Sequence, residues 1–228
     1  VHAGFSPPGP GIDDEDDILP EESVNTELGI RYNNGLNSFE LLYFYNDYKN
    51  LLGEDTESTG SGTYAQFNGG KVLINGLEFS LNKMYVLQNI VFPISMSYTY
   101  TDAKFLNSFE SDFGPWGNVS VNDELPYIPK NMFHIRAGLE LKKLKFYSRI
   151  KHVAKTRTVA GQGDLDPLHS TDQINIADLV LKYDINQNFM IEAKIQNLFD
   201  NKSIVASRPA GVRPNMPRSI NFAFLFDF

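Results

Sequence analysis

Apolar and polar residues alternate one by one along most of this chain. The last stretch, residues 218–228, is the clearest case. Ile220, Phe222, Phe224, Phe226 and Phe228 fall on one face, and Ser219, Asn221, Ala223 and Asp227 on the other, with Leu225 the one apolar intruder. Period two is the signature of a strand whose faces meet different surroundings. The pattern recurs upstream. Val24, Leu28, Ile30 and Tyr32 oppose Asn25, Glu27, Gly29 and Arg31. Leu77, Phe79 and Leu81 oppose Gly76, Glu78 and Ser80, and Ile94, Met96, Tyr98 and Tyr100 oppose Ser95, Ser97, Thr99 and Thr101. Ile135, Ala137 and Leu139 oppose His134, Arg136 and Glu140; Leu179 and Leu181 oppose Asp178 and Lys182; Ile191 and Ala193 oppose Glu192 and Lys194. Residues 39–48 form an aromatic strand that is partly apolar on both faces, so its phase stays open. About nine strands are predicted in all.

The connections between these strands sort by length. Residues 33–35, 83–88, 142–143 and 184–188 are short; residues 50–70, 102–124, 155–172 and 201–217 are long and carry the Gly, Pro, Ser and Asn of loops. Short and long alternate strictly. An antiparallel up-and-down meander in an outer membrane sorts its connections this way, with short periplasmic turns and long external loops. The polar faces also carry whole charges: Arg31, Glu78, Arg136, Glu140, Arg149, Lys182 and Glu192. A water-filled lumen tolerates them, whereas a packed sandwich core does not, because an unpaired buried charge is costly. The expected fold is therefore all-β, an up-and-down transmembrane β-barrel, with the apolar face toward lipid. Leu77, Phe79, Leu179, Phe222 and Phe224 are expected outside, and Glu78, Ser97, Arg136, Lys182 and Asn221 inside. A soluble β-sandwich binding module is the alternative. Residues 1–22 are read as a loop: Pro7, Pro8, Gly9, Pro10 and Gly11 oppose regular structure, and the acidic run at residues 13–17 lacks the spacing and central glycine of a calcium loop.

Composition narrows the function. No run of eighteen apolar residues exists, so a spanning helix is excluded while a barrel is not. The 17 Phe and 11 Tyr suit interfacial girdles. A net charge of −8 speaks against nucleic acid as a partner, and the absence of cysteine removes thiolate and disulfide chemistry. No nucleophile elbow, P-loop or zinc-protease motif occurs, and His2, His134, His152 and His169 lack metal-ligand spacing, so neither enzyme nor cofactor is expected. The first ten residues carry no basic or apolar signal region, and Val1 is not a start methionine, which suggests a processed chain or a piece of a longer one.

Several stretches resemble the barrel of TonB-dependent outer-membrane receptors. They are Asn75-Gly76-Leu77-Glu78, Tyr98-Thr99-Tyr100-Thr101-Asp102-Ala103, Leu125-Pro126-Tyr127-Ile128-Pro129-Lys130, Asp178-Leu179, Asn197-Leu198-Phe199-Asp200, Pro217-Arg218 and the terminal Phe228. His2-Ala3-Gly4-Phe5-Ser6-Pro7-Pro8, residues 20–25 and Ala206-Ser207-Arg208-Pro209-Ala210-Gly211 are similar to the branch with ferric dicitrate receptors. The resemblance covers nearly the whole chain. It implies that residues 1–228 are the carboxy-terminal part of a barrel of about 22 strands, without the plug, the TonB-contacting segment and the first barrel half. It further implies a Gram-negative outer membrane, contact with lipid and lipopolysaccharide, and TonB-coupled uptake of a ferric chelate such as ferric citrate or another siderophore. A passive porin-type barrel is the alternative. An anionic ferric complex calls for fixed positive charge and bidentate arginine, and Lys155, Arg157, Arg208 and Arg213 are the loop candidates. Phe224, Phe226 and Phe228 match the family's terminal signal to the barrel-assembly machinery.

Overall fold

Ten strands form a single antiparallel sheet whose spatial order is the chain order, so every neighbour in space is a neighbour in sequence. They are β1 (His2–Ser6), β2 (Glu21–Asn33), β3 (Asn37–Lys49), β4 (Val72–Leu87), β5 (Ile90–Phe105), β6 (Asn131–Glu140), β7 (Leu144–Val153), β8 (Ile174–Asp184), β9 (Phe189–Gln196) and β10 (Ser219–Phe226). The computed structural model describes residues 1–7, 18–55, 65–110, 117–207 and 211–226. The acidic run at residues 13–17 lies outside the described residues.

The sheet has one strand more than the alternation predicts. Residues 1–22 are not all loop: His2–Ser6 pairs with the start of β2, from His2 opposite Asn25 to Ser6 opposite Glu21. Its sequence, HAGFS, carries a single large apolar side chain, so it has no pattern of its own; the unpaired edge of β2 supplies its ladder. The β4–β5 hairpin is also longer than expected. Residues 83–87 are strand, paired from Lys83 opposite Ile94 to Leu87 opposite Ile90, and the turn is Gln88-Asn89, with Gln88 at φ +54°. The apolar run through Met84, Tyr85, Val86 and Leu87 hides the alternation there. At the other end, β5 runs on to Phe105, while β6 starts only at Asn131.

In a sheet of this order successive connections fall at opposite ends. The short turns accordingly share one rim, where the Met84 N–H donates to the Leu36 carbonyl (3.1 Å) and Lys143 Nζ to the Ile185 carbonyl (3.2 Å). The long segments share the other. Directly opposed residues point to one face, so the register assigns every side chain. One row runs Ile30, Leu41, Phe79, Tyr98, Phe133; the neighbouring row on the other face runs Arg31, Glu40, Ser80, Ser97, His134. This settles the phase of β3, with Phe39, Leu41 and Tyr43 on the apolar face and Glu40, Leu42 and Phe44 on the polar one. The predicted outer and inner sets agree with the register throughout.

Among the described residues none covers these apolar side chains: Leu28 is 75 % exposed, Phe222 71 % and Phe224 65 %. That is incompatible with a dry sandwich core and fits a surface solvated by lipid. The apolar belt also drifts across the sheet. The row through Ile30 crosses β4 at Phe79, whereas the rows through Phe222 and Phe224 cross it at Tyr85 and Leu87. That is a slip of about six to eight residues over about eight strand steps. With about 3.3 Å per residue and about 4.8 Å between strands it gives a tilt of roughly 27–35°, approaching that of transmembrane barrel strands.

Candidate functional site

The long-loop end is built around a small core. Val72, Ala103, Phe105, Val119 and Leu125 are buried together, with Tyr48, Leu51, Ile74, Phe109 and Ile128 packed around them. The inner-facing ends of β4 and β5 supply Val72, Ala103 and Phe105. The loop after β5 folds back along the strand: the Phe105 N–H donates to the Asp123 carbonyl (2.9 Å) and the Leu125 N–H to the Ala103 carbonyl (3.1 Å). The loop after β7 is stitched to it, with Glu124 N–H to Gly161 O (2.8 Å) and Tyr127 N–H to Arg157 O (2.8 Å). These segments form one cap.

Arg157 sits inside this cap at 8 % exposure. Its Nε donates to Glu124 Oε2 (3.0 Å) and its Nη2 to the Gly163 carbonyl. Lys130 Nζ holds the other oxygen of Glu124 at 2.5 Å. Burial pushes the Glu124 carboxyl up, but the hydrogen bonds from Lys130 and Arg157 outweigh it and hold the group below the usual carboxylate range. Of the four loop cations predicted to meet ligand, Arg157 therefore presents no open guanidinium fork; it clamps two loops. Lys155 is exposed and borders the same cleft, of 90 Å³, lined by Glu124, Lys130, Arg157 and Leu165. Arg213 is exposed on the short hairpin Ile204–Ala206 with Arg213–Pro214 and does not line that cleft. Arg208 and Phe228 lie outside the described residues. Phe224 and Phe226 stand on the outer face of β10, where Phe226 stacks on Phe189 at 4.5 Å between ring centres.

Below the cap, the inner wall of β6–β9 concentrates charge. Arg149 donates through Nε (2.8 Å) and Nη2 to Asp178 Oδ2. Lys182 pairs with Glu192 (2.8 Å), and Lys145 with Asp184 (3.1 Å). Arg136 lies over the Tyr147 ring, 4.5 Å from its centre, and the Tyr147 hydroxyl donates to Glu140 (2.6 Å). Gly138 opens the space for this ring, since a Cβ there would come within 2.6 Å of it. A hollow of 300 Å³ between these strands is lined by His134, Arg136, Tyr147, Arg149, Lys182 and Lys194 among others.

The wall and the last long loop meet at residues that charge and motif searches for ligands pass over. Asp178 is buried and accepts the Asn197 N–H on Oδ1 (2.8 Å). Asn197 stands at φ +52°, a conformation that asparagine tolerates better than most residues. Its side chain donates to the carbonyls of Asn201 (2.9 Å) and Met216 (3.0 Å) and accepts the Asn201 N–H (2.9 Å). Asp200 accepts the Arg218 N–H (3.0 Å). The Asn-Leu-Phe-Asp stretch thus ties the loop ends to the wall. The signal in the sequence was the motif itself; its chemistry needs Arg149, twenty-nine residues away from Asp178.

Among the described residues no group of three or more His, Asp or Glu is placed to hold a metal, and no helix is long and apolar enough to cross a membrane. A tilted meander with a bare apolar belt, a charged inner wall and loops capping one rim is a section of an outer-membrane β-barrel. More narrowly, the family described as TonB dependent receptor-like, beta-barrel, matches residues 3–198, and this chain belongs to it. Two receptors are related over most of the chain. The ferric enterobactin receptor of Pseudomonas aeruginosa is 27 % identical over 214 residues, 86 % of this chain and 27 % of its own length. The ferrienterobactin receptor of Escherichia coli K12 is 24 % identical over 200 residues, 82 % of this chain and 24 % of its own. This chain thus spans about a quarter of these relatives. The ferric-catecholate import receptor Fiu of Escherichia coli K12 superposes with a TM-score of 0.72 at 20 % identity, over 99 % of this chain and 32 % of its own. The family is one of transport receptors of the Gram-negative outer membrane rather than of enzymes, which places this chain in that membrane.

Proposed function

We propose that this chain is the carboxy-terminal part of the barrel of a receptor that takes up an anionic ferric chelate with TonB-coupled energy. The rest of the barrel wall, a plug and a TonB-contacting segment would belong to the remainder of the receptor. The observation that carries this reading is the division of one continuous sheet into a lipid-facing and a charged face under an ordered loop cap, in a member of this family. A passive porin-type barrel shares the two faces but has no call for that family's barrel sequence. In this reading Lys155 and Arg213, with Arg208, extend positive charge toward the ligand from the loop side, while Arg157 holds the cap in shape. Phe224, Phe226 and Phe228 would present the terminal aromatic signal to the assembly machinery. The outer face would meet lipid and, at the loop rim, lipopolysaccharide.

The finer identity of the chelate has two readings. The stretches at residues 2–8, 20–25 and 206–211 favour ferric dicitrate. The names of the two related receptors favour a ferric catecholate of the enterobactin type. Growth of a strain lacking the whole receptor, supplied with one iron source at a time, separates them. Loss of growth on ferric citrate alone supports the first and on ferric enterobactin alone the second. Unimpaired growth and unimpaired radio-iron uptake on every chelate would refute the receptor reading.

A further inference from the structure

We infer that the short-turn rim carries, on its inner side, a docking site for a polypeptide segment from the remainder of the receptor, one in which a large apolar side chain stands beside a carboxylate. The inference rests on the receptor reading, which supplies that segment: this chain spans about a quarter of its relatives. Leu225 is the apolar intruder on the polar face of β10. The register places it opposite Met190, and Met190 opposite Asp184. Asp184 pairs with Lys145, and the next row on the same face is Lys182, Glu192 and Ala223. Leu225 and Met190 therefore stand on the charged inner face, away from the lipid belt. Leu225 is 44 % exposed, and Ile185 in the adjoining turn 37 %. In the belt such exposure has no penalty, because hydrocarbon solvates it. On the inner face the surroundings are water or protein, and water opposes it.

These side chains line a recess of 850 Å³ bounded by Lys142 and Lys143 of the β6–β7 turn. The β6–β7 and β8–β9 turns are tied to each other: the Asp184 N–H donates to the Lys143 carbonyl (2.8 Å) and Lys143 Nζ to the Ile185 carbonyl (3.2 Å). The walls of the recess are thus set before anything enters it. Among the described residues three cations line it, Lys142, Lys143 and Lys145, against the single carboxylate of Asp184. Asp184 is engaged by Lys145, and Lys142 has no ion pair among the described residues. A matching occupant brings an apolar side chain to Leu225 and Met190 and a carboxylate to Lys142. Phe189 and Phe226 of the outer face border the same recess, so a lipid is the rival occupant. Its tail would have to leave the belt and cross the rim to cover Leu225. A segment inside the lumen reaches Leu225 directly.

The test uses the whole receptor in isolated outer membranes, treated with a carbodiimide, which joins an amine to a carboxylate already in contact and leaves no spacer. Linked peptides are read by mass spectrometry from the monomeric receptor. Lys142 is expected to link to an Asp or Glu of the receptor outside residues 1–228. Leu225→Asn should lower the yield of that link about tenfold, as loss of one buried leucine does. Ala223→Ser, one row further along the same face, should leave it unchanged. Three outcomes overturn the site: Lys142 linked only to a carboxylate within residues 1–228, which means that this chain fills its own recess; Lys142 linked only in a larger species, to another protein or a second copy; or no link of Lys142, which means that lipid or water covers Leu225. The link in the unaltered receptor decides the matter even if Leu225→Asn fails to assemble. Each of these results leaves the receptor reading standing; unimpaired iron uptake in the deletion strain would remove that reading, whatever Lys142 links to.

Discussion

The loop cap and the strand belt solve the same problem in opposite ways. Both are rich in apolar side chains. In the cap they turn toward each other: Phe105 and Val72 are fully buried, and Leu125 and Val119 nearly so. In the belt they turn away, and Leu28, Ile30 and Phe222 stay two-thirds exposed or more. Polar groups show the mirror image. The cap buries Arg157 and pairs it, whereas the inner wall leaves Arg136 open to the lumen. The difference follows from the solvent. The cap stands in water and must bury its own apolar surface, as any soluble domain does. The belt stands in hydrocarbon, where exposure of Leu or Phe has no penalty and only an unpaired polar group does. One chain thus holds a water-type core and a lipid-type surface within the length of a single strand, since β5 carries Tyr98 in the belt and Phe105 in the cap.

Substitutions that break this comparison should differ in size. The largest effect is expected at Phe105. Phe105→Ala leaves a cavity in the cap and should cost about 3–5 kcal/mol, read as a lower urea midpoint for the whole receptor and as faster proteolysis of the long loops. The same loss at Phe222 should be much milder, because lipid refills the space; equal costs would refute the division into cap and belt. Next comes Leu179→Arg, which puts a charge on the lipid face mid-strand and should cost about 2–4 kcal/mol, measured by reversible folding into bilayers. Glu124→Gln should cost about 2 kcal/mol, since it leaves buried Arg157 without its anion.

Glu124 also sets a pH dependence that should belong to the cap alone. Its folded pKa is depressed relative to the unfolded chain, so the unfolded state binds the proton more readily. The stability it contributes is fully present above the usual carboxylate range and is lost as pH falls below that range through the depressed value. Amide protection at residues 157–171, corrected for the intrinsic pH dependence of exchange, should therefore fall on acidification while that of the β8–β9 ladder is unchanged, and Glu124→Gln should abolish that step. The smallest effect is expected at the wall pair. Lys182→Gln removes a partly exposed ion pair and should cost about 1 kcal/mol or less. A cost above that of Leu179→Arg would mean that the charged face, not the apolar one, is buried.

Much of the architecture was legible because it is written locally. Alternation at Ile94–Thr101 or Leu179–Lys182 is a property of adjacent residues, and the pleat converts it directly into two faces. The sorting of connections into short and long is equally local, and with the charges on the polar face it distinguished a barrel wall from a sandwich. What stayed hidden depends on partners far along the chain. The strand His2–Ser6 has no pattern and exists because β2 offers it an edge. The phase of residues 39–48 was open because both faces are partly apolar, and only the register against Leu77 and Phe79 decides it.

The site was less legible than the fold, for the same reason. Charge alone made Arg157 look like a ligand arm, but Glu124, thirty-three residues away, consumes it. Asp178 and Asn197 read as motif letters until the fold joined them through Arg149 and the last loop. By itself the sequence determined, in the strands that alternate cleanly, which residues face lipid and which face water, because period two and the hydrophobic effect act on each strand separately. Only the tertiary structure decided which charges are spent and which are free, because a hydrogen bond or an ion pair exists only where register and loop packing bring two distant groups within about 3 Å.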